Sequence, residues 1–222
     1  MASASRISRH LPPTPSHCKL IDDHRFRALL SDEDWGRLPL AVWRRFSMRL
    51  ADGNTIVYVG EVDSAAISFA GWCIAEALRL IGGPLPTTAE TGVPMIVAVT
   101  EDAATGGQIW TRMTGRRRRF PQVIHSCKRF AGPTGLEEYV GCGIGVALRI
   151  CVASEALVFR SVGYFLQIGR WTWRLPVWLT PGDLTVTHAD LGGDAFRFTL
   201  EIVHPHLGPL LRQSAVFKEA TS

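Results

Sequence analysis

QIWTRMTGRRRRFPQVIHSCKRF, residues 108–130, decides how the rest of the chain is read. Its first residues alternate. In a strand, whose side chains repeat every two residues, Trp110, Arg112 and Thr114 point one way and Ile109, Thr111 and Met113 the other. Gly115 breaks the alternation, Arg116, Arg117, Arg118 and Arg119 follow, and Phe120-Pro121 open a second alternating run. The pattern predicts a β-hairpin with the arginines at a solvated tip. A nucleic-acid patch or a localisation signal is the competing reading of such a run. No basic helix and no interleaved aromatic platform accompanies it, so no nucleic-acid partner is expected.

Outward from the hairpin the same signature recurs: PMIVAVTED (94–102), GLEEYVG (135–141), IGVALRICVAS (144–154), ALVFRSVGYFLQI (156–168), LTVTHADL (184–191), FRFTLEIV (196–203) and PLLRQSAVF (209–217). Gly106-Gly107 and Asp190–Asp194 read as hairpin turns. Short strands at that spacing predict an α+β protein built on a mostly antiparallel β-barrel or half-barrel of about eight to ten strands, with one or two N-terminal helices packed on or in it. Towards the N-terminus, residues 31–47 predict a helix capped by Ser31, with Leu38, Val42 and Phe46 on one face and Pro39 splitting it into two pieces. Residues 54–63 predict a strand. A helix is expected from about Ala65 to Ile81, ended by Gly82-Gly83-Pro84. It is apolar almost all round and sits at the lower length limit for crossing a bilayer, so burial against a sheet is the first reading and an interfacial membrane helix the second.

Residues 1–30, with Pro12, Pro13 and Pro15, predict a disordered tail, and 31–222 a single β-rich domain. Residues 1–20 hold Arg6, Arg9 and Lys19 and no acid, so most of the formal +4 lies there and the body is close to neutral. A balanced body lacks the broad positive field that phosphate-backbone binding uses. The opening MASASRISRHLPPTPSHCK has no apolar run of a secretory signal, and the five cysteines form no C-x-x-C pair. Reduced thiols and a cytoplasmic location are expected.

In GLEEYVG, Glu138 shares a side with Leu136 and Val140, while Glu137 and Tyr139 share the other. A carboxylate among apolar side chains must find a partner or take up a proton. Arg112 is the preferred partner. The pair is read either as a buried ion pair that fixes strand register or as a ligand-binding or acid/base site. Aromatic residues crowd the segment from Phe159 to Trp178. They suit core packing, and equally a cavity for an apolar ligand, with Trp110, Tyr139, Phe159 and Trp173 as candidate ligand contacts. His204 and His206 lack a predictable third ligand, so no metal is expected. No serine or cysteine stands in a nucleophile motif.

The order of these pieces resembles a bacterial family catalogued as domain of unknown function 4166, which occurs alone or behind a saccharopine-dehydrogenase-like NAD(P)-binding domain. The resemblance runs from about Trp35 to Phe217 and rests on Trp110 to Met113 with Gly115 and Phe120, on Glu138 to Gly141, on Trp173 to Pro176 and on His206 to Leu210. Met113, Gln122 and Gln213 depart from the family's pattern. No G-x-G-x-x-G precedes the module, and GCGIG (141–145) lies between two strands, so no cofactor is expected in this chain. If relatives borrow NAD(P) from a fused domain, the resemblance implies a separate NAD(P)-dependent partner protein here. Three functional expectations follow: a module binding a small apolar or amphipathic molecule; a cofactor-independent isomerase, cyclase or hydrolase using Glu138 as acid/base and Arg112 as anion stabiliser; and a membrane-surface or protein-interaction module using the apolar helix.

Overall fold

A computed structural model of the chain describes residues 20–50 and 54–220. Alternation dominates its architecture. A short sheet pairs β1 (Leu20–Asp22) with β2 (Met48–Leu50), and between them lie α1 (Asp32–Gly36) and α2 (Leu40–Ser47). Then come β3 (Thr55–Ile67), α3 (Phe69–Ala77), β4 (Pro94–Asp102), β5 (Gly107–Thr114), β6 (Gln122–Arg129), β7 (Glu137–Gly141), β8 (Ile144–Ala153), β9 (Ala156–Ile168), β10 (Trp171–Arg174), β11 (Asp183–Gly192), β12 (Ala195–His204) and β13 (Gly208–Glu219). Every pairing is antiparallel. β3 to β9 follow one another round the wall, β9 continues to β11, and β13 pairs back onto β3. This closed ten-strand antiparallel barrel leaves none of those strands an unpaired edge along its whole length.

β9 is longer than its neighbour requires. β11 pairs with it only over Leu157–Arg160, and β10 takes its upper part over Phe165–Ile168. The wall therefore parts above Arg160, and residues 175–182, with a 3-10 turn at Val177–Leu179, span the opening. We call this the upper end, where β3 finishes and α3 begins.

The expectations for α1 and α2 hold. Ser31 Oγ accepts the Asp34 N–H at 3.1 Å, the chain breaks at Pro39, and Leu38, Val42 and Phe46 are buried in the lower end of the barrel. Two elements differ. The strand expected to stop at Asp63 runs to Ile67, because Ala65 and Ala66 pair with Gln213 and Arg212 of β13. Helix begins only after Ser68, whose Oγ accepts the Gly71 N–H. The helix does not bury its apolar surface all round either. Gly71 and Ala75 are buried, whereas Phe69 and Trp72 stand exposed. Glycine lets it sit this way: a Cβ on Gly71 would meet Leu210 O at 2.1 Å, and one on Gly141, at φ +133°, would meet Ile81 O at 2.4 Å. The helix and its 3-10 extension (Leu78–Ile81) thus lie on backbone across the upper end.

The tail expected over residues 1–30 gives way to folded chain by β1, and residues 1–19 lie outside the described residues. Phe26 is 1% exposed, edge-on to Phe46 and Phe130 at 5.1 and 4.8 Å. Arg25 donates to both Asp23 carboxylate oxygens at 2.8 Å and to Gly106 O at 2.5 Å. The prolines before it drew the boundary too late, since one aromatic fitted to a core outweighs ten polar neighbours.

Candidate functional site

Three neighbouring strands put polar groups into an apolar interior. Trp110 and Arg112 of β5, Ser126 and Lys128 of β6 and Glu138 of β7 all fall on inward phases, as the alternation requires. Lys128 stands directly opposite Glu138 in the ladder, and Trp110 opposite Ser126. Lys128 Nζ lies 2.9 Å from Glu138 Oε2. Arg112 Nη2 lies 3.4 Å from Glu138 Oε1 and donates to Ser126 Oγ at 2.8 Å. Lys128 Nζ also sits over the Trp110 ring, 4.6 Å from its centroid. Burial alone would push the Glu138 carboxyl up; the Lys128 and Arg112 charges and the Ser126 hydroxyl outweigh it and hold the group at about 2. Burial lowers the Lys128 ammonium; Glu138 opposes this and Arg112 adds to it. The cluster thus sets two cations against one carboxylate, an imbalance closed either by a proton leaving Lys128 or by an incoming acceptor.

Arg112 is shared by two cavities. The upper one, of about 80 Å³, is lined mainly by aliphatic side chains, among them Leu78, Ile81, Val146, Leu175, Leu179 and Leu184, and its polar residues include Arg112, Glu138 and Tyr164. The lower, of about 40 Å³, lies between Arg112, Trp110, Tyr58, Arg45, His188 and Phe196. Arg112 Nε and Tyr164 Oη are buried and make no hydrogen bond. Burial, with Asp183 and Glu138 nearby, pushes the Tyr164 phenol above its ordinary range, so it stays a neutral donor.

His188, 3% exposed, stacks on Phe196 at 4.4 Å, and its Nδ1 is unpartnered. Burial, then the Arg45 charge, lowers its imidazole from 6.5 to about 3. Between those values the unfolded chain binds the proton and the folded one does not, so this stability is complete above pH 6.5 and is lost as pH falls towards 3. Wild type should lose about 2 kcal/mol more than His188→Phe on going from about pH 7 to about pH 5 in urea unfolding. Equal losses would mean that the imidazole is reached by water.

The sequence profile of the family described as domain of unknown function DUF4166 matches residues 38–217, most of the chain. The chain belongs to the DUF4166 family. Compared with curated proteins and with solved structures, it matches none.

In this DUF4166 domain the residues singled out by sequence separate into two sets. Glu138, Arg112 and Trp110 come together in the interior. Tyr139 turns to the other face of β7, where its hydroxyl donates to Glu137 at 3.0 Å and Arg129 covers its ring. Phe159 is buried with Phe26 and Phe46 and lines neither interior cavity. Trp173 is half exposed on β10. Lys128 and Tyr164 are the additions. Lys128 was within reach of sequence reasoning, since Ile124, Ser126 and Lys128 share a phase and all three are buried; Tyr164 needed the β8–β9 register, which shifts between Ala147 and Leu148.

Among the described residues no group of histidine, cysteine and acidic side chains could hold a metal ion. His204 has a local role: its Nδ1 accepts the backbone N–H groups of His206 and Leu207. Two departures from the family's pattern sit at structured positions. Gln122 donates to Leu85 O at 2.8 Å and accepts from Arg116 at 2.7 Å, and Gln213 is buried with its Nε2 unpartnered. Met113 faces outward.

Proposed function

We propose that the barrel binds a small amphipathic molecule, its hydrogen-bond-accepting head against Arg112 and Tyr164 and its apolar body among the aliphatic side chains of the upper cavity. The carrying observation is that Arg112 Nε and Tyr164 Oη are buried donors without acceptors beside an otherwise apolar space. Buried donors without partners are costly, and an acceptor that reaches them recovers that cost. A carboxylate or carbonyl head also answers the excess of cations around Glu138. The cavity is smaller than the roughly 150 Å³ that takes up a benzene, so the head and a slender section fit inside and the remainder lies in the mouth between the Leu78–Ile81 and Val177–Leu179 turns. Binding is favoured over acid/base catalysis at Glu138, because a carboxyl held at about 2 is a poor proton donor or acceptor near neutrality.

Tyr164→Phe tests this directly. With no partner lost, the variant should melt at the wild-type temperature or slightly above. Its affinity for straight-chain carboxylates, titrated from butanoate to decanoate against the matching alcohols, should fall roughly tenfold. Absence of binding by the wild type, or equal affinity in both proteins, would reject the reading.

A further inference from the structure

We infer that the upper end of the barrel docks on an anionic membrane surface. The topology gathers there the α3 segment, the β5–β6 tip, the β9–β10 turn, the Val177–Leu179 turn and the β12–β13 turn. Those connections carry the chain's most exposed large apolar side chains: Phe120 at 92%, Leu80 at 89%, Phe69 at 80% and Trp178 at 75%, with Trp171 and Trp173 more than half exposed or at half. The same connections hold Arg79, Arg116 to Arg119, Arg170 and Arg174 against two acids, Glu76 and Glu90. Both acids are engaged, Glu76 by Arg79 at 2.8 Å and Glu90 by the Arg117 N–H at 2.8 Å.

The arrangement around the mouth is specific. On one side of the Leu78–Ile81 turn, Arg79 and the arginine tip line a single concavity of about 1080 Å³ together with Phe120. On its other side, Leu78 and Ile81 share the upper cavity with Leu179. The tip is not uniformly solvated, as the sequence had suggested. Arg116 is tied to Thr87 at 2.5 Å and Gln122 at 2.7 Å, which anchors the loop, while Arg118 and Arg119 are exposed and make no ion pair or hydrogen bond.

Separate aromatic and leucine knobs on different loops, flanked by free arginines, match the interfacial zone of a bilayer, where aromatic rings settle at headgroup depth and basic residues meet anionic headgroups. Charge complementarity selects the anionic lipid, and the scatter of knobs over several loops selects a fluid surface over a shaped protein partner. The protein lies on this surface and does not span it through its wall. Arg149, Arg160, Arg197 and Arg212 face outward along the strands, the reverse of a lipid-facing barrel, and among the described residues no helix is long and apolar enough to cross a membrane. The inference rests on the knobs and the arginines and stands whatever the cavity holds.

Flotation with vesicles of phosphatidylcholine alone, and of equal parts phosphatidylcholine and phosphatidylglycerol, tests it with the full chain. Wild type should float with the anionic vesicles, with a blue-shifted tryptophan emission, and release as salt rises. Arg118→Ser with Arg119→Ser should lower the partition coefficient roughly thirtyfold, which is two basic residues at about 1 kcal/mol each. Leu80→Ser, Phe120→Ser and Trp178→Ser together should abolish flotation while leaving the melting curve unchanged, since these side chains are already in water. Three results would overturn the inference: no flotation by wild type; arginine-dependent DNA or RNA binding in place of vesicle binding; or a dimer of wild type that the apolar triple variant loses, which would make the face a contact between copies.

Discussion

Glu138→Leu should destabilise the fold by roughly 3–5 kcal/mol, the range expected when one member of a buried ion cluster is removed and the others remain charged. Lys128 and Glu138 are each under a tenth exposed, and Arg112 has only Ser126 to fall back on. Adding Lys128→Met should recover much of the loss, because neither side chain then carries a charge that needs burying, while Arg112 keeps its bond to Ser126. Lys128→Met alone should be milder than Glu138→Leu, since Arg112 still neutralises the carboxylate at 3.4 Å. Urea unfolding of the four proteins measures the coupling. Additive losses would show that Lys128 and Glu138 do not sense one another, against their 2.9 Å separation.

Deleting the chain before Leu29 should be as severe. Compared with a protein begun at Leu20, it loses Phe26, a fully buried ring whose neighbours include Phe46, Phe130 and Phe159, and it breaks the Arg25 bond to Gly106 O. Truncating a buried phenylalanine alone costs about 3–5 kcal/mol through lost transfer energy and the cavity left behind. Phe26→Ala in the longer protein should reproduce most of the effect. Coincident melts of the two lengths would place the start of the folded domain after residue 28.

The barrel was legible because its strands alternate, and alternation reports which face is buried without reference to any partner. It placed Trp110, Arg112 and Glu138 on inward phases before any register was known. What it could not report is distance across strands. Lys128 pairs more closely with Glu138 than Arg112 does because β6 lies between β5 and β7, and the order of strands in space is set by closure of the sheet. Tyr139 and Phe159 were chosen as aromatics in promising company, yet Tyr139 turned outward and Phe159 went to the core, because ring content alone does not specify phase or depth. α3 was misread for a physical reason as well. An apolar helix was taken to be a buried one, whereas Gly71 lets it lie across the mouth with Phe69 and Trp72 exposed. The four arginines look alike in sequence, and only the loop geometry separates anchored Arg116 from free Arg118 and Arg119.

The central claim is that Arg112, in a cluster with more cations than carboxylates, anchors the head of an amphipathic ligand. Native mass spectrometry of the full chain, purified from cells without detergent beside Arg112→Gln, tests it most directly. Wild type should carry an additional acidic or carbonyl-bearing amphiphile that is released on denaturation, and the variant, still folded, should fly bare. Bare chain in both proteins, or the same adduct in both, would contradict the claim.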